Sequence, residues 1–79
     1  MWDKFVKREF IALWSQLPSK DKQAVTQAME ALAVDPLNYE PTPVRLMNDD
    51  FLIVTLHYWI QYRLDDQQRR VIFIKLLID

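Results

Sequence analysis

The residues best equipped for chemistry fall between His57 and Lys75. Arg63 and Lys75 are cations suited to phosphate, Gln61 offers an amide beside them, and Trp59 offers a ring on which a base can stack. Together they form the candidate RNA-binding set. Arg63 and Lys75 are also candidates for catalysis, as stabilisers of developing negative charge. His57, the only histidine, is the third, because an imidazole titrates near neutral pH and can act as a base. Each has a plainer reading: long cations also cover apolar sheet surface with their stems, and a histidine without a placed partner serves equally as a solvent-exposed turn residue. Arg69 and Arg70, with Arg45, make the other basic cluster, but they follow Asp65-Asp66 and suit local ion pairs at a hairpin end. Asp49-Asp50 and Asp65-Asp66 are acidic pairs that turn chemistry explains. No ligand spacing suits a metal, no cofactor is implied, and a chain without glycine has no glycine-rich phosphate loop.

Positioning these side chains falls to the tract from Phe51 to Ile78. Its three runs of apolar, β-branched and aromatic residues, separated by short polar breaks, read as a three-stranded antiparallel meander. A two-residue turn at His57-Tyr58 sets Phe51, Ile53 and Thr55 opposite Leu64, Tyr62 and Ile60. A three-residue loop at Asp66, Gln67 and Gln68 pairs Ile60 with Ile74 and Tyr62 with Ile72, and asks Gln67 or Gln68 to adopt a left-handed conformation. One face then holds Phe51, Ile53, Thr55, Ile60, Tyr62, Leu64, Ile72, Ile74 and Leu76, the expected core. The other holds Leu52, Val54, Leu56, Trp59, Gln61, Arg63, Val71, Phe73 and Lys75.

That second face is too apolar to do nothing but meet water. Leu52, Val54, Leu56, Trp59, Val71 and Phe73 are therefore the candidate partner-binding residues, for a peptide segment, a second copy of the chain, or a strand added at the sheet edge. The alternative is that Trp2, Phe5 or the stretch 36–43 folds over them.

Upstream, Val6, Phe10, Leu13 and Leu17 recur at helical spacing, so a helix is expected over Asp3 to Leu17, capped by Asp3 and stopped by Pro18. Ser19 is placed to cap a second helix whose Ala24, Val25, Ala28, Ala31 and Leu32 share one face, with Asp35 and Pro36 at its end. The two form an antiparallel hairpin. Residues 36–43 hold three of the four prolines and read as an extended connection, Val44 to Met47 as a weak strand, and Asn48 to Asp50 as a turn. The expected fold is α+β, an N-terminal helical hairpin packed on a three- to four-stranded antiparallel sheet, as a single domain over residues 1–79.

A domain of 79 residues buries only about 60% of the surface its unfolded chain exposes. Half its residues are hydrophobic, which supports a packed core, and the net charge of −1 supplies no global attraction for nucleic acid or anionic membrane. The absence of cysteine fits an intracellular protein, and no apolar run approaches a membrane span or a signal peptide.

The helical hairpin broken by LPSKDK, the second helix ending ALAVDP, and the strand pair HYWIQYRLDDQQRRVIFIKLL resemble the RelE/ParE superfamily of bacterial type II toxin–antitoxin toxins. The resemblance runs from about Val6 to Leu77 and rests on fold marks rather than a catalytic motif. It implies a cytoplasmic toxin, encoded on plasmids, where it stabilises their inheritance, or on chromosomes, whose antitoxin wraps it and covers its sheet or groove. It also implies one of two activities: mRNA interferase action on the ribosome, or inhibition of DNA gyrase. Where ribonuclease members commonly carry an arginine, this chain has Trp59, and their usual C-terminal Arg, His or Tyr residues would follow Ile78-Asp79.

Three functions follow as expectations. The first is a toxin bound by an antitoxin through its sheet, with ribosome-dependent mRNA endoribonuclease activity left open because most of the usual catalytic residues are missing. The second is a non-catalytic interaction module or homodimer that retains the toxin fold. The third is a gyrase inhibitor, on analogy alone.

Overall fold

The computed structural model describes residues 1–78. The chain runs β1 (Asp3–Val6), α1 (Arg8–Trp14), α2 (Ser19–Val34), β2 (Val44–Arg45), β3 (Phe51–Thr55), β4 (Tyr58–Asp65) and β5 (Arg70–Ile78). The strands form one sheet in the order β1-β5-β4-β3-β2. The class is α+β, as expected, but the sheet has five strands and is mixed, because β1 lies parallel to β5 while every other pair is antiparallel.

The expected first helix is therefore shorter, and it does not open the domain. Asp3 pairs with Arg70 and Val6 with Phe73, so Asp3 begins a strand rather than capping a helix. A helix of this length is marginal in isolation, and the edge of β5 offers backbone groups that a neighbouring strand satisfies. Val6 still turns toward the core beside Phe10, which is why it fits the helical stripe so well. Trp2 is buried, and its backbone N–H donates to the Ala33 carbonyl at 2.8 Å. At α2 the N-cap is Pro18, and Ser19 is the first helical residue.

Both hairpins differ in register from the expected meander. The first turn is Leu56-His57, one residue early, so Phe51 faces Tyr62 and Ile53 faces Ile60. A displacement of two pairing positions leaves the faces unchanged. The second loop spans four residues, 66–69, and Arg69 takes the left-handed conformation expected of Gln67 or Gln68. Asp49 (φ 66°) and Leu56 (φ 53°) do likewise, in a chain with no glycine to spare them.

A β-bulge completes the rearrangement. Gln61 pairs with Lys75 and the adjacent Tyr62 with Phe73, leaving Ile74 as the extra residue. Below the bulge the faces of β5 are exchanged relative to a regular strand. Val71 and Phe73 enter the core and Ile72 leaves it, whereas Leu76 beyond the bulge stays inside. The exchange buries the larger ring: Phe73 lies 5.9 Å from Phe10 and 6.4 Å from Tyr62 between ring centres. The core gathers Phe10 from α1 and Val25, Ala28, Met29 and Leu32 from α2 over one face of the sheet.

Candidate functional site

The helices cover one face of the sheet, so strand alternation turns a second set of side chains to the other. β4 contributes Trp59, Gln61 and Arg63, and β3 contributes Leu52 and Val54. Across the strands, Trp59 faces Val54 and Leu77, Gln61 faces Leu52 and Lys75, and Arg63 faces Ile72. Phe5 of β1 faces Ile72, with the Arg70 guanidinium 5.6 Å from its ring centre. Of the candidate partner-binding residues, Leu52, Val54 and Trp59 lie on this face. Val71 and Phe73 do not; both are fully buried through the bulge. Leu56 sits in the turn, exposed and off the sheet. Ile72, Leu77 and Phe5 join the face instead.

The strongest polar feature of this face is Asp50, which sequence reasoning assigned to a turn. It is 1% exposed. Its carboxylate accepts hydrogen bonds from Arg63 Nε at 2.6 Å, Gln61 Nε2 at 2.9 Å and Asn48 Nδ2 at 3.1 Å, while its own N–H donates to Asn48 Oδ1 at 3.2 Å. Burial pushes the Asp50 carboxyl up, but the hydrogen bonds from Arg63, Gln61 and Asn48 and the charge of Arg63 outweigh it, holding the group below the usual carboxylate value. The bond to Asp50 in turn raises the Arg63 guanidinium above its ordinary value. A turn set one residue earlier in the sequence reading would have placed Asp50 across from Arg63 and exposed the pair.

Arg63 is half exposed, and its terminal nitrogens have no hydrogen-bond partner among the described residues. Lys75 is exposed and makes no ion pair among them. Trp59, Gln61, Arg63 and Lys75 are thus brought to one face. His57 is not among them. It lies some six residues along from Arg63, ~20 Å at strand spacing. It has local partners of its own: Nε2 is 3.8 Å from Asp21 Oδ2, and its ring centre is 4.3 Å from that of Tyr58. Tyr58 donates to the same Asp21 oxygen at 2.5 Å, a bond that raises the phenol above its usual value. Of the second basic cluster, Arg70 makes the expected hairpin-end ion pair with Asp65 at 3.4 Å, whereas Arg69 lies over the Trp2 ring, 5.2 Å from its centre, and Arg45 pairs with Asp49 at 2.7 Å in its own loop.

A concavity lies on the helical side, where β1 and the two helices meet. It encloses about 310 Å³ and is lined by Val6, Phe10, Ile11, Trp14 and Met29, with Lys4 and Glu30 3.9 Å apart at its margin. No residue pattern announced it, because it depends on β1 replacing the start of the helix. Among the described residues no group of three or more His, Cys, Asp or Glu is close enough to hold a metal, and no helix is long and apolar enough to cross a membrane.

No protein-family model and no curated protein sequence matches the chain. Solved structures do. The isolated RelE toxin of E. coli superposes with a TM-score of 0.83 at 18% identity, covering 99% of this chain and 84% of the toxin. The toxin–antitoxin complex RelBE2 of Mycobacterium tuberculosis gives 0.81 at 21% identity, covering 99% and 98%. The archaeal RelE-RelB complex of Pyrococcus horikoshii gives 0.76 at 13% identity, covering 98% and 93%. With its two helices laid on a five-stranded mixed sheet, this chain has the fold of the RelE-superfamily toxins.

Proposed function

We propose that this chain is the toxin component of a bacterial type II toxin–antitoxin system, acting in the cytoplasm and held by an antitoxin polypeptide across its open sheet face. The likeness to RelE structures, several of them complexes with an antitoxin, supports the reading. The observation that carries it is the sheet face itself. Leu52, Val54, Trp59, Ile72 and Leu77 leave apolar surface on the side the helices do not cover, and Val54 is 45% exposed. The groove between β1 and the helices offers a wrapping partner a second hold.

Ribosome-dependent mRNA cleavage would draw on Arg63 and Lys75 for phosphate and on Trp59 and Gln61 for a base. The salt bridge to Asp50 favours the second reading, a non-catalytic module, because it offsets the charge of Arg63 and leaves Lys75 as the one cation of the set with no ion pair among the described residues. Induced expression separates the two. Growth arrest with cleaved transcripts, relieved by the product of the neighbouring open reading frame, supports the toxin. Arrest that survives Arg63→Ala together with Lys75→Ala removes these residues from the chemistry. Normal growth with a stable complex supports the module, and sedimentation at several concentrations tests the homodimer.

A further inference from the structure

The charges on the open face are unequally satisfied, and the inequality describes the partner. Asp50 is buried and consumed by Arg63, Gln61 and Asn48. Asp65 pairs with Arg70, and Asp3 lies opposite Arg70 at the same far end of the face. At the centre, Lys75 has no partner among the described residues. Arg63 is held through Nε, and its terminal nitrogens make no hydrogen bond among the described residues. Lys75 faces Gln61, one pleat from Arg63, so both cations border the same patch. The patch is otherwise apolar, with Ile72 across from Arg63, Leu52 across from Gln61, and Trp59 and Leu77 beside them.

We infer that this centre receives an acidic side chain of a polypeptide partner, its carboxylate shared by Lys75 and the outer nitrogens of Arg63 and flanked by apolar residues seated on Trp59, Ile72 and Leu77. The inference rests on the proposed reading that the sheet face binds a polypeptide, and it gives that partner a chemistry. Phosphate would suit the same two cations. Yet an RNA strand gains affinity by neutralising several phosphates in succession, and this face offers Lys75 and an Arg63 whose charge Asp50 already offsets, set among apolar residues on a chain of net charge −1. A single carboxylate between apolar side chains matches it better.

The test uses the intact protein and three fluorescent probes: a short peptide in which Leu and Val alternate with Glu, the same peptide with Gln for Glu, and a short single-stranded RNA. Anisotropy should show the Glu peptide binding about tenfold more tightly than the Gln peptide. Lys75→Gln should reduce that preference, and Lys75→Glu should abolish it. Lys75 is exposed and makes no ion pair among the described residues, so neither variant endangers the fold, whereas Arg63→Gln strips Asp50 of its partner and is read only alongside a melting curve. Equal binding of the two peptides overturns the inference. So does RNA binding that Lys75→Glu destroys, which would make phosphate the anion. If both peptides fail while expression still arrests growth and the neighbouring gene product still relieves it, only the inference falls. If no arrest and no complex are seen either, the reading beneath it falls too.

Discussion

Replacing Asp50 with alanine removes the acceptor that ties the loop before β3 to two side chains of β4. A hydrogen bond to a charged group contributes ~1.5–3 kcal/mol, and three converge here. They are not additive, and Arg63, half exposed, recovers water once released. The loss therefore falls near ~2 kcal/mol, below the ~3–5 kcal/mol of a fully buried pair stripped of one partner. In a domain of this size ~1 kcal/mol moves Tm by ~4–8 °C, so Asp50→Ala should melt ~8–16 °C lower near neutral pH by circular dichroism. The carboxyl is held below its unfolded value, so its contribution is fully present above about pH 4 and is lost as the pH falls through the lower folded value. Asp50→Asn should therefore erase that acid limb. Arg63→Gln should add little to Asp50→Ala, because both cut the same bond. A melt of Asp50→Ala within ~2 °C of the parent, or an acid limb that persists in Asp50→Asn, would refute the assignment.

The bulge predicts that Phe73→Ala costs ~3–5 kcal/mol in urea titration while Ile72→Ala costs well under half of that, the reverse of what an unbroken strand gives. Leu56→Gly should stabilise by ~1 kcal/mol, since Leu56 holds φ 53° in an exposed turn; a loss of stability would show that the side chain is needed there. Tyr58→Phe should lower Tm. Because the phenol is raised in the folded state, its contribution is present below about pH 10 and is lost as the pH climbs through the higher folded value. The parent should lose that stability under alkali and the variant should not, as paired pH-dependent melts would reveal.

The α+β class, the boundary at Asp35-Pro36, and the strand tracts of β3, β4 and β5 were legible because proline placement and β-branched runs are local signals. What escaped was set by distant partners. Residues 3–6 read as helix since Val6 and Phe10 share a stripe, and only the edge of β5 decides otherwise. The bulge leaves no mark in VIFIKLL; it follows from the space that Phe10 and Tyr62 leave for Phe73. Loop ends were misplaced by one residue because, without glycine, nothing local identifies Leu56 or Arg69 as left-handed. Those same displacements hid the Asp50–Arg63 pair and put Val71 and Phe73 on the wrong side.

The parallel pairing of β1 with β5 has a consequence for how the molecule comes into being. β1 leaves the ribosome well before β5, yet β5 is the neighbour it pairs with, and β5 also bridges β1 to β4 within the sheet. Nascent chain lacking β5 has no complete apolar floor for its helices. Closure of the sheet therefore waits until β5 has been made, and the open face takes its final form only then.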